Sequence, residues 1–317
     1  MKKIFIAISF VLFCLSINAQ DRYFDERYIY TQHFINPILI NPGVTGIDED
    51  RHILFNYRNK WASFPGAPKT VTFSYNGPIA NRLGFGALVM NDSNAGLRTT
   101  KGQLSLSYTI DSPTNKVGFG LSTEFIQHKV SGDVLSNSLI DINDEVVLDR
   151  LDGNNYFDAS FGIYGIYESK ITYGIAFPSL ISSKLSDSSN GSRDRELGYI
   201  FNVGYIYNFE EQDIYAEPSI IFKKLMFVPT AVDINLKLQF LERKLTGGIT
   251  YAVGADERFG FLLGAKVNSL NFNYSYNVSR HDFQEYNNGS HELSVGITMA
   301  SNKKSEEMMI QEEMLKN

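Results

Sequence analysis

Histidine and carboxylate side chains are the residues of this chain best suited to chemistry, and one short stretch brings several of them together. Of the five histidines among 317 residues, His281 stands next to Asp282, and Glu285 and His291 follow closely. Such a group could bind a metal ion or transfer protons, but on a loop it is more often solvated surface. The chain has neither the His-Glu-x-x-His spacing of zinc hydrolases nor the Gly-x-Ser-x-Gly turn of serine hydrolases. A hydrolase would have to rely on His291 with a Ser or Asp, and we expect instead no catalytic residue, no metal site and no cofactor.

The charge and cysteine content argue against two further classes of protein. The chain has 29 Lys+Arg against 35 Asp+Glu, and no basic stripe marks a nucleic-acid surface. We therefore expect no nucleic-acid partner. Cys14 is the only cysteine, so the sequence predicts no disulfide framework.

The first residues predict export from the cytoplasm. Lys2 and Lys3 precede an apolar run over residues 4–17, and Ala19 provides a small residue for cleavage. The run is shorter than the roughly 20 residues that a membrane-spanning helix needs. Lipid attachment at Cys14 is disfavoured, because Phe13 stands where a small residue is expected. We interpret residues 1–19 as a signal peptide.

Most of the remaining chain alternates between apolar and polar residues. Because successive residues of a strand point to opposite faces, each such segment has one apolar and one polar face. In residues 232–240 the apolar set is Val232, Ile234, Leu236, Leu238 and Phe240. The predicted segments are 52–59, 69–77, 82–91, 102–111, 116–127, 154–167, 170–177, 197–208, 213–223, 231–240, 243–253, 258–267, 269–279 and 290–299.

These segments favour an all-β fold, a transmembrane antiparallel β-barrel of about 14 strands over residues 52–300. Most are close to the roughly 9–11 residues that a tilted strand needs to cross a bilayer. Their connections tend to alternate between short turns and longer loops such as 60–68, 92–101 and 128–153. Short periplasmic turns and long external loops are typical of outer-membrane barrels. The alternative is a secreted β-sandwich, whose strands are usually shorter.

Two segments lie outside the alternating pattern. Residues 20–51 contain Asn36-Pro37 and Asn41-Pro42-Gly43 turns among apolar residues, which predicts either a periplasmic lead-in or a plug of the lumen. Asn41 and Pro42 are its candidate lumen residues. Residues 301–317 favour helix, and we expect a periplasmic tail there. The tail is either an unattached end or a docking segment for a periplasmic partner.

One succession of short motifs resembles a known family. Asn41-Pro42-Gly43-Val44-Thr45-Gly46 leads into Asn56-Tyr57-Arg58-Asn59-Lys60-Trp61, followed by Phe64-Pro65-Gly66-Ala67-Pro68 and Ser74-Tyr75-Asn76-Gly77-Pro78. Their order is similar to that of the PorP/SprF family of the Bacteroidetes type IX secretion and gliding system. Residues 289–297 resemble that family's closing strand. The chain departs from the usual barrel ending, because a tail follows the last strand in place of a terminal aromatic residue.

The resemblance implies an outer-membrane protein of the type IX machinery that binds or anchors secreted surface proteins without catalysing a reaction. Its implied partners are outer-membrane lipids, a secreted surface protein or the C-terminal domain of an adhesin, and periplasmic type IX components or a peptidoglycan-binding lipoprotein. The alternative function is a passive channel for small solutes, since a barrel of this size can enclose an aqueous lumen.

The first external loop carries the candidate partner-binding residues. Trp61 and Phe64 lie in a short loop stiffened by Pro65 and Pro68, and a preordered aromatic loop loses less entropy on binding. Trp61 could equally belong to an interfacial aromatic belt. Arg58 shares the polar face of its strand with Asn56, so we expect it to point into the lumen, towards the plug.

Overall fold

The computed structural model describes residues 30–130, 153–181, 183–184, 197–225, 228–255 and 257–300. The predicted signal peptide 1–19, the start of the 20–51 segment and the 301–317 tail lie outside the described residues. Most of the acidic 128–153 connection lies outside them as well.

The described chain forms one antiparallel sheet that closes on itself, because β16 pairs with β1 and β9 pairs with β11. Strands β9 and β10 make one wall strand interrupted at Ile206, and β8 is a two-residue pairing on β6, so fourteen strands build the wall. The predicted antiparallel barrel of about 14 strands is confirmed. The strands are β1 Arg51–Asn59, β2 Lys69–Ala80, β3 Leu83–Asn94, β4 Leu97–Asp111, β5 Asn115–Val130, β6 Asn154–Tyr167, β7 Ile171–Phe177, β8 Ser183–Lys184, β9 Tyr199–Tyr205, β10 Tyr207–Phe209, β11 Ile214–Lys224, β12 Ala231–Phe240, β13 Leu245–Gly254, β14 Arg258–Val267, β15 Leu270–Ser279 and β16 Ser290–Met299.

The barrel has two different rims. The wall begins and ends at one of them, where Arg51 pairs with Met299. This rim also carries the short turns, for example between β2 and β3 and between β14 and β15, and we call it the turn rim. The opposite loop rim carries the long connections, including 60–68 and 280–289. In outer-membrane barrels the short turns face the periplasm and the long loops face the exterior.

The two faces of the wall have opposite polarity. On β4, Leu104 and Leu106 point outwards and are 57% and 59% exposed, whereas Ser105 and Ser107 point inwards and are buried. The same alternation runs around the wall, so a continuous apolar surface faces the lipid and the polar side chains line the lumen. Among the described residues, no helix is long and apolar enough to cross a membrane.

One predicted connection is wrong. Residues 92–101 were expected to form one of the longer loops, but β3 and β4 continue to Asn94 and Leu97. They are joined by the two-residue turn of Ala95 and Gly96, both of which have positive φ angles. The polar residues here are compatible with a hairpin that extends beyond the lipid, because its strands pair with each other through the backbone.

Residues 30–47, which we call the inner segment, run through the lumen. They form the short 3-10 helices Gln32–Phe34, Pro37–Leu39 and Pro42–Val44. Proline opens the second and third of these, where its missing N–H has no partner to lose. Apolar residues of the inner segment, including Tyr30, Leu39 and Ile40, pack against inward-facing apolar residues of the wall. The hydrophobic core of this protein therefore lies inside the barrel.

Candidate functional site

In one half of the wall, the inner segment packs directly against glycine residues. On strands β3, β5, β6 and β7, several of the inward positions that face residues 41–45 are glycines. A Cβ added at Gly120 would overlap the Pro42 carbonyl, and one at Gly118 would overlap the Gly43 carbonyl. The two backbones approach so closely that only glycine fits. The five wall glycines of this surface are Gly84, Gly118, Gly120, Gly162 and Gly174.

The candidate lumen residues Asn41 and Pro42 lie at the centre of this glycine surface. The Asn41 amide donates from Nδ2 to the Ile163 carbonyl of β6 at 3.0 Å, and its Oδ1 accepts from the Gly43 N–H at 2.8 Å. Pro42 is buried against Gly120. The Ser107 hydroxyl of β4 donates to the Thr45 carbonyl. Residues 41–45 are thus fixed by hydrogen bonds as well as by close packing.

The opposite half of the wall holds the inner segment with charged groups. The Glu292 carboxylate of β16 is fully buried and accepts from the Thr31 N–H at 2.8 Å and from the Asn56 amide at 2.9 Å. The Gln32 side chain donates to the Glu292 carbonyl at 2.9 Å. Arg58 is buried beside this group and stands opposite Glu292 in the β1–β16 register. Hydrogen bonds to a buried carboxylate are stronger than neutral ones.

A second buried charge cluster lies on β11, β12 and β14. The Asp233 carboxylate is 2.8 Å from Lys223 Nζ and 3.0 Å from Arg258 Nη2, and His33 Nε2 of the inner segment lies 3.4 Å away. Burial lowers the pKa of His33 to about 3, the Lys223 charge acts in the same direction, and Asp233 opposes it. His33 is therefore neutral at physiological pH and occupies its place as an uncharged imidazole.

The space between the inner segment and the turn rim is a cavity of about 330 Å³. Ile35, Pro37 and Ile38 of the inner segment form one side of it. Polar wall residues such as Gln239 and Thr298 form the other.

The loop rim carries a cluster of aromatic rings from two loops. Trp61 and Phe64 of the first loop contact Phe283 of the last loop edge-on, with centroid distances of 5.1 and 4.9 Å. Tyr286, 70% exposed, lies beside Phe283 at 6.5 Å. Backbone hydrogen bonds from Ala62 N–H to the Gly289 carbonyl at 2.7 Å and from Asn288 N–H to the Ala62 carbonyl at 2.8 Å join the loops. We call Trp61, Phe64, Phe283 and Tyr286 the rim cluster.

The other two candidate partner-binding residues differ in their exposure. Pro65 is exposed next to Phe64, whereas Pro68 is buried, and its carbonyl accepts from the Lys60 N–H at 2.9 Å. Pro68 therefore fixes the base of the loop and offers no surface to a partner. Trp61 is half-buried, with a positive φ of 55° and with Lys60 Nζ 4.6 Å from its ring centre.

The sequence analysis did not identify Phe283 and Tyr286 as candidate binding residues, although the closure of the barrel predicts that their loop lies beside the first loop. Pairing of β16 with β1 brings the last loop next to the first, whatever the sequence between them. It also missed the roles of Glu292 and Asp233. Their positions on polar faces were visible, but their contacts with residues more than 190 positions away were not.

The histidine and carboxylate group of the last loop is spread out. His281, Asp282 and Glu285 are exposed, while His291 lies on the wall with Nδ1 2.7 Å from the Tyr274 hydroxyl. Within the described residues, no group of three or more metal-ligating side chains comes together.

Comparisons with known proteins agree with this architecture. Among solved structures, the monoaromatic hydrocarbon channel CymD is 14% identical with a TM-score of 0.50, and the match covers 90% of this chain and 94% of that one. The Ralstonia pickettii toluene transporter TbuX is 10% identical over 84% and 93% of the chains, with a TM-score of 0.48. At these identities the likeness concerns the fold alone. No curated protein matches the chain.

The family comparison is more specific. Residues 24–297 match the model of the type IX secretion system membrane protein PorP/SprF, so the match covers nearly the whole barrel and the inner segment. The resemblance found in the sequence motifs is confirmed, and the fold and the family together assign the protein to the outer membrane. This chain belongs to the PorP/SprF family of type IX secretion system membrane proteins.

Proposed function

We propose that this barrel binds a secreted surface protein at its loop rim and holds it at the cell surface, without catalysing a reaction. The observation that carries the proposal is the rim cluster, a preordered set of aromatic side chains at the end of the barrel where outer-membrane proteins meet the exterior. Aromatic residues are enriched among the side chains that contribute most to protein interfaces. Tight loop-to-loop hydrogen bonding reduces the entropy that such a surface loses on binding.

The contacts of the inner segment support an anchoring role over a passive channel. The segment touches the glycine surface of β3 to β7 on one side and Glu292 and Asp233 on the other. It therefore spans the lumen from wall to wall, and in our proposal it acts as a plug. A channel for small solutes would need this segment to leave, against close packing and several buried hydrogen bonds.

Periplasmic partners are the second part of the proposal. Membership of a type IX secretion family favours contact with other secretion components. The turn rim and the 301–317 tail that follows β16 are the parts of the chain that would face the periplasm. Deleting residues 301–317 is expected to leave the barrel folded and to release a periplasmic partner from a pull-down. An unchanged pull-down would make the tail passive.

The retention proposal is tested by removing the two rings that the last loop contributes to the rim cluster. We expect the double variant Phe283→Ala, Tyr286→Ala to release surface protein into the medium at least tenfold more than wild type. A control is Tyr207→Ala, Phe209→Ala, which removes an edge-to-face aromatic pair, 48% and 43% exposed, near the turn rim. Both variants should keep the heat-dependent mobility shift of a folded barrel in gels. Equal retention by the two variants would contradict the proposal.

A further inference from the structure

Three basic side chains form a line across the outer face of the wall near the loop rim. Lys69 of β2 stands opposite Ser93 of β3 in the strand register. Ser93 in turn stands opposite Arg98 of β4, which stands opposite Lys129 of β5. All four residues alternate along their strands with inward-facing residues and therefore point away from the lumen. We call Lys69, Arg98 and Lys129 the basic row.

The basic row lies just beyond the apolar surface of the same strands. One row nearer the turn rim, the outward residues are mostly polar, and the Asn91 amide donates to the Thr100 hydroxyl at 3.0 Å. The row after that is apolar and includes Phe73 and Phe125, which are 51% and 50% exposed. Phe73 is four residues from Lys69, or about 13 Å along the strand. The basic row therefore lies at the level where the lipid headgroups replace the hydrocarbon.

Strands elsewhere in the wall end differently at the loop rim. On β12, β13 and β14 the outward residues nearest this rim are apolar, namely Val232, Val253 and Phe259. On β2 to β5 the strands continue past the apolar surface with polar and then basic residues. The basic row therefore distinguishes one sector of the outer face from the sector formed by β12 to β14.

The charge of the basic row has no acidic partner among the described residues. Arg98 and Lys129 stand directly opposite each other, and like charges in such positions destabilise a strand pair. None of the three side chains forms an ion pair within the described part of the chain. Arg280 at the same rim, by contrast, lies 3.9 Å from Glu257. An anion bound at the basic row would remove the repulsion between β4 and β5.

We propose that the basic row binds the phosphate groups of a phosphorylated lipid in the outer leaflet, with the acyl chains of that lipid on the apolar face of β2 to β5. Arginine and lysine are the side chains that proteins use to bind phosphate. A lipid fits this place better than a soluble anion, because the apolar surface below the row can bury its acyl chains. The row spans three strand intervals, about 14 Å, and can contact more than one phosphate group.

Lipid binding by the purified, delipidated, full-length barrel tests the proposal. Native mass spectrometry measures the affinity for added diphosphoryl lipid A of the wild type and of the triple variant Lys69→Gln, Arg98→Gln, Lys129→Gln. A cation near a charged lipid contributes about fivefold in affinity, so we expect the triple variant to bind about 100-fold more weakly.

A control variant removes the same number of charges from the other end of the barrel. Lys170→Gln, Lys244→Gln, Lys266→Gln replaces three exposed cations at the turn rim, and we expect it to bind lipid A as the wild type does. Lipid A should also raise the midpoint of thermal unfolding of the wild type and of this control, because a ligand stabilises the state that binds it. The midpoint of the basic-row variant should not change.

Three results would overturn the proposal, which does not depend on retention of a surface protein. Equal affinity of the basic-row variant and the wild type for lipid A would mean that these cations do not bind it. Equal affinity of the wild type for dephosphorylated lipid A would mean that only the acyl chains are recognised. Displacement of lipid A by inorganic phosphate would assign the row to soluble anions.

Discussion

The two halves of the lumen wall hold the inner segment by different physical means. On β3 to β7 glycines form much of the contact surface, and backbone meets backbone at Gly118 and Gly120. On β12, β16 and β1 the wall supplies buried charges, and Glu292 accepts hydrogen bonds from the segment's own N–H groups. The glycine half tolerates no added volume. The charged half depends on polar contacts that water can replace and that change when a partner is protonated. The first contact should fail abruptly on substitution and the second should weaken by degrees.

The largest effect is expected from filling the glycine half. Gly120→Leu would drive a side chain into the Pro42 carbonyl and destabilise docking of the inner segment by about 3 kcal/mol. Planar-bilayer recordings should then show stable conductance where the wild type is closed. Gly102→Leu is the control, because a Cβ there meets no atom within 4 Å. A closed Gly120→Leu barrel would show that the glycine contact does not hold the segment.

A smaller effect is expected from breaking the charged half. Glu292→Ala removes the acceptor of the Thr31 N–H and the Asn56 amide, at about 1.5–3 kcal/mol for a hydrogen bond to a charged group. We expect intermittent opening in the same recordings. Glu285→Ala, an exposed carboxylate of the last loop, should record as wild type. If the Glu292→Ala barrel stays closed throughout, the glycine half alone is enough to keep the inner segment in the lumen.

Acidification should weaken the charged half without any substitution. The pKa of His33 is lowered to about 3 in the docked segment, against an ordinary value near 6.5 when the segment is released. The released segment therefore binds a proton that the docked one does not, so docking is strongest above pH 6.5 and weakens as the pH falls towards 3. At pH 5 this difference in the pKa of His33 lowers the equilibrium constant for docking by about 30-fold. Open probability should rise on acidification in wild type and stay flat in His33→Gln; an equal response of both would assign the effect to another group.

The smallest effect is expected at Tyr30. Tyr30→Phe removes the hydrogen bond to Thr72 but keeps the ring in the apolar cluster, at about 1 kcal/mol. The midpoint of thermal unfolding should fall slightly, and the barrel should stay closed in the bilayer recordings. Opening comparable to that of Glu292→Ala would place more of the anchoring at this end of the segment.

The strand pattern was predictable because period-two alternation is a local property of the sequence. Val232 to Phe240 alternates apolar and polar residues, so its lipid-facing and lumen-facing sides can be assigned from the sequence alone. The glycines Gly84, Gly118 and Gly120 can be read directly from the sequence, and the alternation places them on the polar faces of their strands. Which residues of the inner segment meet them was not predictable, since those contacts join positions far apart in the chain.

The other features that the sequence did not predict have similar causes. The β3–β4 hairpin extends through polar residues that pair by backbone hydrogen bonds, which side-chain alternation does not report. Pro68 and Pro65 are alike in sequence, and only the fold distinguishes the buried one from the exposed one. Phe283 joins Trp61 because the barrel closes between the first and last strands.

Photocrosslinking in the native outer membrane can show whether the loop rim retains a surface protein. A photoreactive phenylalanine replaces Tyr286 in one variant and Tyr207, near the turn rim, in another. We expect only the Tyr286 variant to crosslink to a large secreted protein, which mass spectrometry would identify. Crosslinks to secreted protein from neither position, with both barrels folded, would contradict retention and favour a solute channel.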